Sequence, residues 1–245
     1  MKRLVVFCVF GFLSWIPSAR AATVEEAIAY VQRQFAPVIA RQPDKETAPA
    51  HATTMDETLA DLQHQWAIIK YQTPDKVQQH NDIAALAEQA AQVSEDNPGK
   101  AEPHIWQAII LSTKADINGG LGALGDDERA RDLLLRAEKI NPRALNGAIY
   151  TSLGSLYYKV PGWPIGFGDN DQAKQYFEKA LAINPDGIDP NFAYGEFLYE
   201  MGNYDKAKSM LEHGLQTQLR SGAGLAEKGR REEAQELLQK VNQKL

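Results

Sequence analysis

Five histidines, His51, His64, His80, His104 and His213, and 32 acidic residues are the side chains of this 245-residue sequence best suited to chemistry. A zinc site of the His-Glu-x-x-His type needs two histidines one helical turn apart, and a nucleophilic triad needs a base beside its nucleophile. The histidines are scattered and form no such pair. The acids read as solvated exterior faces of helices, and no two of them can be assigned as general acid and general base. The expectation is a non-enzyme without metal or cofactor. Two glycine-rich stretches stand out, Asn118–Asp126 and Pro161–Asp169. Free backbone N–H groups in such loops can cradle a phosphate at a helix start. Here Asp126, Asp127 and Glu128 crowd one start, and Asp169 and Asp171 the other. They repel an anion, and neither loop ends in the Gly-Lys-Ser/Thr of a phosphate-binding loop. Calcium fits no better: Asp116, Asn118, Asp126 and Asp127, or Asp169, Asn170 and Asp171, lack the spacing and the closing glutamate of an EF-hand loop. Trp163 and Phe167, in the second loop, could stack on a sugar or peptide if exposed. Large apolar side chains in loops more often tuck back, and that is the expectation for both.

Charge and export signals narrow the setting. Lys2 and Arg3 precede an apolar run, Leu4 to Ile16, which Pro17 ends before Ala19-Arg20-Ala21. This is the pattern of a secretory signal peptide cleaved after Ala21, and 13 residues are too few for a permanent membrane helix, which needs about 20. The only cysteine, Cys8, lies inside that run without a lipoprotein context, so the mature chain would hold no disulfide and no thiolate site. Loss of Lys2, Arg3 and Arg20 takes the formal net charge from −6 to −9, without a basic patch. Nucleic acid and anionic membrane surfaces are therefore disfavoured as partners, and no stable membrane insertion is expected after cleavage. The expected location is periplasmic or secreted.

The elements that position these residues come next. Val24, Ala27, Ile28, Val31, Phe35, Val38 and Ile39 make one apolar helical stripe, followed by a polar, proline-containing linker over 41–53. This gives a segment 22–54 whose uncovered apolar face would cap the remainder or dock on a second copy, making a homo-oligomer conceivable. Two helices at about Asp56 to Tyr71 and Val77 to Val93 form a degenerate pair within 55–99. Beyond residue 100 a pattern repeats: Ala130, Leu134, Ala137, Ile140, Asn141 and Pro142 match Ala173, Phe177, Ala180, Ile183, Asn184 and Pro185, 43 residues on. Phe177 to Leu211, Ala173 to Ala207 and Ala180 to Gly214 are each 34 residues apart. Small residues (Gly154, Gly195, Ala173, Ala207) would let paired helices approach, and Tyr157, Phe177, Leu198 and Leu211 would fill the space toward the next unit.

With Tyr150-x-x-Leu153-Gly154-x-x-Tyr157 ahead of Ala173, Phe177, Ala180 and Pro185, the chain resembles the tetratricopeptide repeat family. That resemblance implies an all-α helical-repeat solenoid over 100–245, with Gly-rich insertions between the helices of two units and a polar C-terminal cap around Leu225, Gly229, Ala234 and Leu238. Glu232, Glu233, Glu236, Lys240, Gln243 and Lys244 would form the outside of that cap. The insertions account for the 43-residue spacing; they are expected to be two loops of one kind on one edge, with Asp126 and Asp169 as helix N-caps. The second loop is also similar to one in the accessory T component of TRAP-type solute transporters. In the family the concave surface comes from the first helix of each unit. By register that surface is His104, Gln107, Lys114, Thr151, Ser155, Tyr158, Asp189, Phe192, Glu196 and Tyr199. It lacks the Lys/Asn set with which some members grip a C-terminal carboxylate. The function implied is an exported scaffold binding a protein or peptide partner in the cell envelope. The alternative is a small-solute or glycan-binding accessory of a transport system that uses the Trp163 and Phe167 loop.

Overall fold

The chain divides into two compact units, Met1–Ala52 and Thr53–Leu245. The computed structural model describes residues 54–217 and 224–245, all in the second unit. The signal sequence, the helix over 24–40 and the linker lie outside the described residues.

Thr54 opens α1 (Met55–Gln72) with a capping box: its hydroxyl accepts from Glu57 N–H at 3.2 Å, and the Glu57 carboxylate accepts from Thr54 N–H at 2.8 Å. Pro74 separates it from α2 (Lys76–Asp96), which Asp75 caps by accepting from Gln78 N–H at 2.7 Å. Then follow α3 (Ala101–Asn118) and α4 (Gly120–Ile140), and a short 3-10 segment (Ala144–Gly147) leads into α5 (Ala148–Lys159). A loop over 160–169 precedes α6 (Asn170–Ile183), and α7 (Ile188–Glu200), α8 (Tyr204–Gln216) and α9 (Leu225–Asn242) complete the described chain. The pairs α3–α4, α5–α6 and α7–α8 are the closest-packed partners, as a solenoid of helical hairpins requires.

The small residues act as the repeat demands. A Cβ on Gly154 would lie 2.6 Å from the Phe177 ring, and one on Gly195 would lie 3.0 Å from Leu211. Ala130, Ala137, Ala173, Ala180 and Ala207 are completely buried at the same pairings. Two aliphatic and aromatic clusters result, one from α1 to α5 and one around Phe177, Phe192, Phe197, Leu211 and Val241.

The two glycine-rich insertions are not of one kind. The first is helical: α3 ends at Gly119, whose φ of +59° admits few other residues, and α4 starts at once with Gly120. Asp126 is therefore inside α4 and caps nothing. It pairs instead with Lys114 of α3, at 2.9 Å. No proline interrupts Gly120 to Asp126, so the stretch extends the helix, with Leu124 partly buried against the core. The second insertion carries Pro161 and Pro164 and stays a loop, pinned by a bridge between Gly162 and Gly168. Asp169 caps α6, accepting from Asp171 N–H and Gln172 N–H at 2.9 and 3.0 Å. The two insertions do adjoin, since a Cβ on Gly166 would lie 3.2 Å from Leu124 Cδ1.

The C-terminal helix does more than shield the last unit. It buries Ala234, Leu237 and Val241 against α7 and α8, and its other side reaches back to α1. A Cβ on Gly229 would lie 2.5 Å from the Tyr71 ring, and Glu233 bonds Lys70 at 3.0 Å and Tyr71 Oη at 3.2 Å. Glu233 is thus an inward residue, contrary to its expected place on the outside of the cap. The row of helices closes on itself.

Candidate functional site: a cavity inside the closed row

Closure creates a cavity of about 480 Å³. Its walls are the inner stripes of the first helices of each pair, and the spacing shows why. Thr151, Ser152, Ser155, Leu156 and Lys159 recur at one turn of α5, and Asp189, Phe192, Ala193 and Glu196 do so on α7. On α3 the stripe is Trp106, Ile109, Thr113 and Asp116. Trp66, Lys70 and Tyr71 of α1 face Ala226, Arg230 and Glu233 of α9, and Asp127 of α4 adds one carboxylate.

The wall divides into an aromatic part and a charged part. Trp66 and Trp106 meet edge-on at 5.8 Å, and the Trp66 indole N–H donates to Thr113 Oγ1 at 2.8 Å. The Trp106 indole N–H is buried and has no acceptor. Lys70 sits 5.5 Å from the Trp66 ring centre and 5.1 Å from that of Tyr71. Arg230 stacks on Phe192 at 4.6 Å and bonds Asp189 at 3.0 Å and Glu233 at 2.6 Å. Lys159 reaches Glu196 at 3.4 Å.

Ionisation follows from these neighbours. Burial lowers the Lys70 ammonium from its ordinary range, with Arg230 adding to the effect and Glu233 opposing it. Burial pushes the Glu233 carboxyl up, but Arg230 and Lys70 outweigh it and hold the group below the usual range. Burial, then Asp116 and Asp126, push the Asp127 carboxyl up to about 6, against the pull of Lys159.

Of the residues expected on the concave surface, the cavity gathers Thr151, Ser155, Asp189, Phe192 and Glu196. It does not gather the others. His104 is buried between α2 and α3, bonded to Ser94 Oγ and to the Pro98 carbonyl, and burial lowers its pKa. Gln107 is buried beside it on the core side of α3, and Lys114 is occupied by Asp126. Tyr158 packs on Phe177 and Phe197 and donates to Glu196, while Tyr199 packs on Tyr204 at 5.6 Å. Trp163 and Phe167 part company. Phe167 tucks between Tyr157, at 5.3 Å, and the Arg131 guanidinium, at 4.5 Å. Trp163 is 89% exposed at the loop tip, which corrects its expected burial.

Sequence reasoning missed Trp66, Trp106, Lys70, Tyr71, Asp116, Asp127, Arg230 and Glu233 as cavity residues. Trp106, Thr113 and Asp116 do fall at helical spacing with Ile109, so the α3 stripe was available as a signal. The α1–α9 contact had none, because it joins residues 162 positions apart outside the repeat period. Acids taken for solvated exterior charges thus line the cavity at six positions: Asp116, Asp127, Asp189, Glu196, Glu227 and Glu233. Among the described residues no three His, Cys, Asp or Glu side chains converge as metal ligands, and no helix is long and apolar enough to cross a membrane.

A repeat of helical hairpins with small residues at the pairings and a concave inner wall defines a tetratricopeptide-type scaffold. Residues 165–221 match the family model for the tetratricopeptide repeat. No curated protein matches the chain. Among solved structures it is similar in fold to a thermophilic tetratricopeptide repeat protein of Thermus thermophilus. That similarity has 16% identity and a TM-score of 0.50, over 86% of this chain and 98% of that one. MamA aligns with 19% identity over 71% of this chain and 95% of its own, at a TM-score of 0.41. Scaffolds of this class typically mediate protein–protein interaction and are generally non-catalytic.

Proposed function

We propose that this protein is an exported scaffold that holds a short segment of a partner polypeptide inside the closed row of helices, in the bacterial cell envelope. The observation that carries the reading is the cavity of about 480 Å³, where Trp66, Trp106 and Phe192 offer apolar surface beside the hydroxyls of Thr151, Ser152 and Ser155. A peptide presents both kinds of surface at once, and solenoids of this class use their concave side for such contacts. Export rests on Lys2-Arg3, the apolar run and Ala19-Arg20-Ala21.

A photoreactive side chain at Thr151 tests the site. In cells it should crosslink one discrete polypeptide, whereas the same group at the exposed Glu232 should not. An empty Thr151 lane, or equal capture from both positions, would sink the reading. Amino-terminal sequencing of the protein from fractionated cells should begin at Ala22 in the envelope fraction. An intact Met1 in the cytoplasm would dispose of export.

One observation favours a second reading, a small-solute accessory: the volume also falls in the range of small-molecule pockets, about 300–1,000 Å³. Native mass spectrometry of the gently purified protein would reveal a retained solute as a fixed mass increment, and a bare mass would count against it.

A further inference from the structure

We propose that the partner segment presents a lysine or arginine side chain to Asp116 and Asp127 and lays an apolar side chain against Trp66 and Trp106. This rests on the peptide-binding reading above. The argument begins with which cavity charges are already matched. Lys70 is paired with Glu233, Arg230 with Asp189 and Glu233, and Lys159 with Glu196. Every cation in the wall thus has a carboxylate of its own chain. Asp116 and Asp127 line the same cavity and have neither an ion-pair nor a hydrogen-bond partner among the described residues. Asp126, beside them, is already neutralised by Lys114.

Two unmatched carboxylates, Asp127 half-buried and Asp116 exposed, leave the cavity short of positive charge. The raised Asp127 carboxyl reflects the same deficit, since Asp116 and Asp126 both oppose its ionisation. A metal ion would need at least a third converging ligand, and none is present among the described residues. An ammonium or guanidinium needs only hydrogen-bond acceptors, which two carboxylates supply.

The geometry of α3 makes the occupant a peptide rather than a lone cation. Trp106 and Asp116 lie on one stripe, ten residues apart, with Ile109 and Thr113 between them. At about 1.5 Å of rise per residue they are separated by about 15 Å, the reach of about four or five extended residues. One end of the stripe is aromatic and the other acidic, so a basic residue and an apolar residue a few positions apart satisfy both.

Two pools of fluorescein-labelled random hexapeptides, one with lysine fixed at the third position and one with glutamate fixed there, are passed over the immobilised full-length protein. The lysine pool should be retained more strongly by on the order of ten-fold, with apolar residues enriched at the remaining positions. D116N/D127N should retain both pools alike, and each single variant should lose part of the preference. Amides replace two mutually repelling carboxylates here, so the variants should keep the wild-type melting temperature or exceed it. Retention without a lysine preference, or a preference that survives D116N/D127N, overturns the proposal while peptide binding stands. Failure to retain either pool overturns peptide binding itself. Spermidine, run as a separate probe, should bind more weakly than the lysine pool; spermidine held while both pools pass through would refute the peptide occupant.

Discussion

Asp127 and Glu233 share a cavity and respond to pH in opposite directions. Asp127 ionises near pH 6 in the folded chain against an ordinary value of 3.8. Between those values the folded state holds a proton that the unfolded state has released. The contribution of Asp127 therefore favours folding below about pH 4 and is lost as pH rises through 6. Glu233 is depressed, so its contribution is present above the ordinary glutamate range and is lost as pH falls through its folded value. Asp127→Asn should accordingly raise the melting temperature at pH 7.5 and change it little at pH 4, as differential scanning calorimetry would register. Equal shifts at both pH values would contradict the assignment. Glu233→Gln should do the reverse, lowering stability at pH 7.5 because Lys70 and Arg230 each lose a partner.

At the scale of elements, two stretches with similar composition folded differently, and the reason is local. Pro161 and Pro164 cannot continue a helix, whereas Gly120-Leu121-Gly122-Ala123-Leu124-Gly125 has no proline and is opposed only by its glycines. Glycine costs up to about 1 kcal/mol per position relative to alanine, which is why the stretch reads as a loop. Burial of Leu124 against the core and the Lys114–Asp126 pair reverse the preference. A matched pair of variants separates the two aspartates. Asp169→Ala should cost about 1 kcal/mol through a lost cap. Asp126→Ala should cost no more than about 1 kcal/mol, in a salt-dependent way, through a partly exposed ion pair. Urea denaturation at low and high salt measures both, and salt sensitivity at Asp169 instead would reverse the assignment. The pairings themselves were legible: Gly154 and Phe177 stood in the repeat register before their contact was seen. Gly154→Ala forces a methyl into the Phe177 ring and should destabilise by about 1–3 kcal/mol.

For the whole molecule, the repeat register specified the hairpins from α3 to α8 but not the closure by α9. A period describes what each unit does to its neighbour, and the α1–α9 contact is between the two that are furthest apart. Gly229 did not point to it, because a glycine inside a repeat helix reads as ordinary within-unit packing until Tyr71 is found against it. Truncation after Thr217 should remove cover from Phe192, Leu211 and the α1 aromatics together. The shortened chain should bind a hydrophobic dye, melt lower, and lose the fluorescence of Trp66 as a buried indole. Full retention of the native melting temperature would mean that α9 is an appendage.

Closure also bears on the order in which the chain can fold. An open solenoid behaves as a line of neighbours that can zip from any point and fray from either end. Here the tie between Tyr71 and Glu233 spans 162 residues, so it cannot form until the last helix has been made. During synthesis the early hairpins must wait with the Trp66 side uncovered, a window in which a holding factor would be useful. Once the tie is made, neither end of the helical row is free to peel away alone, and the array should come apart as one cooperative body rather than unit by unit.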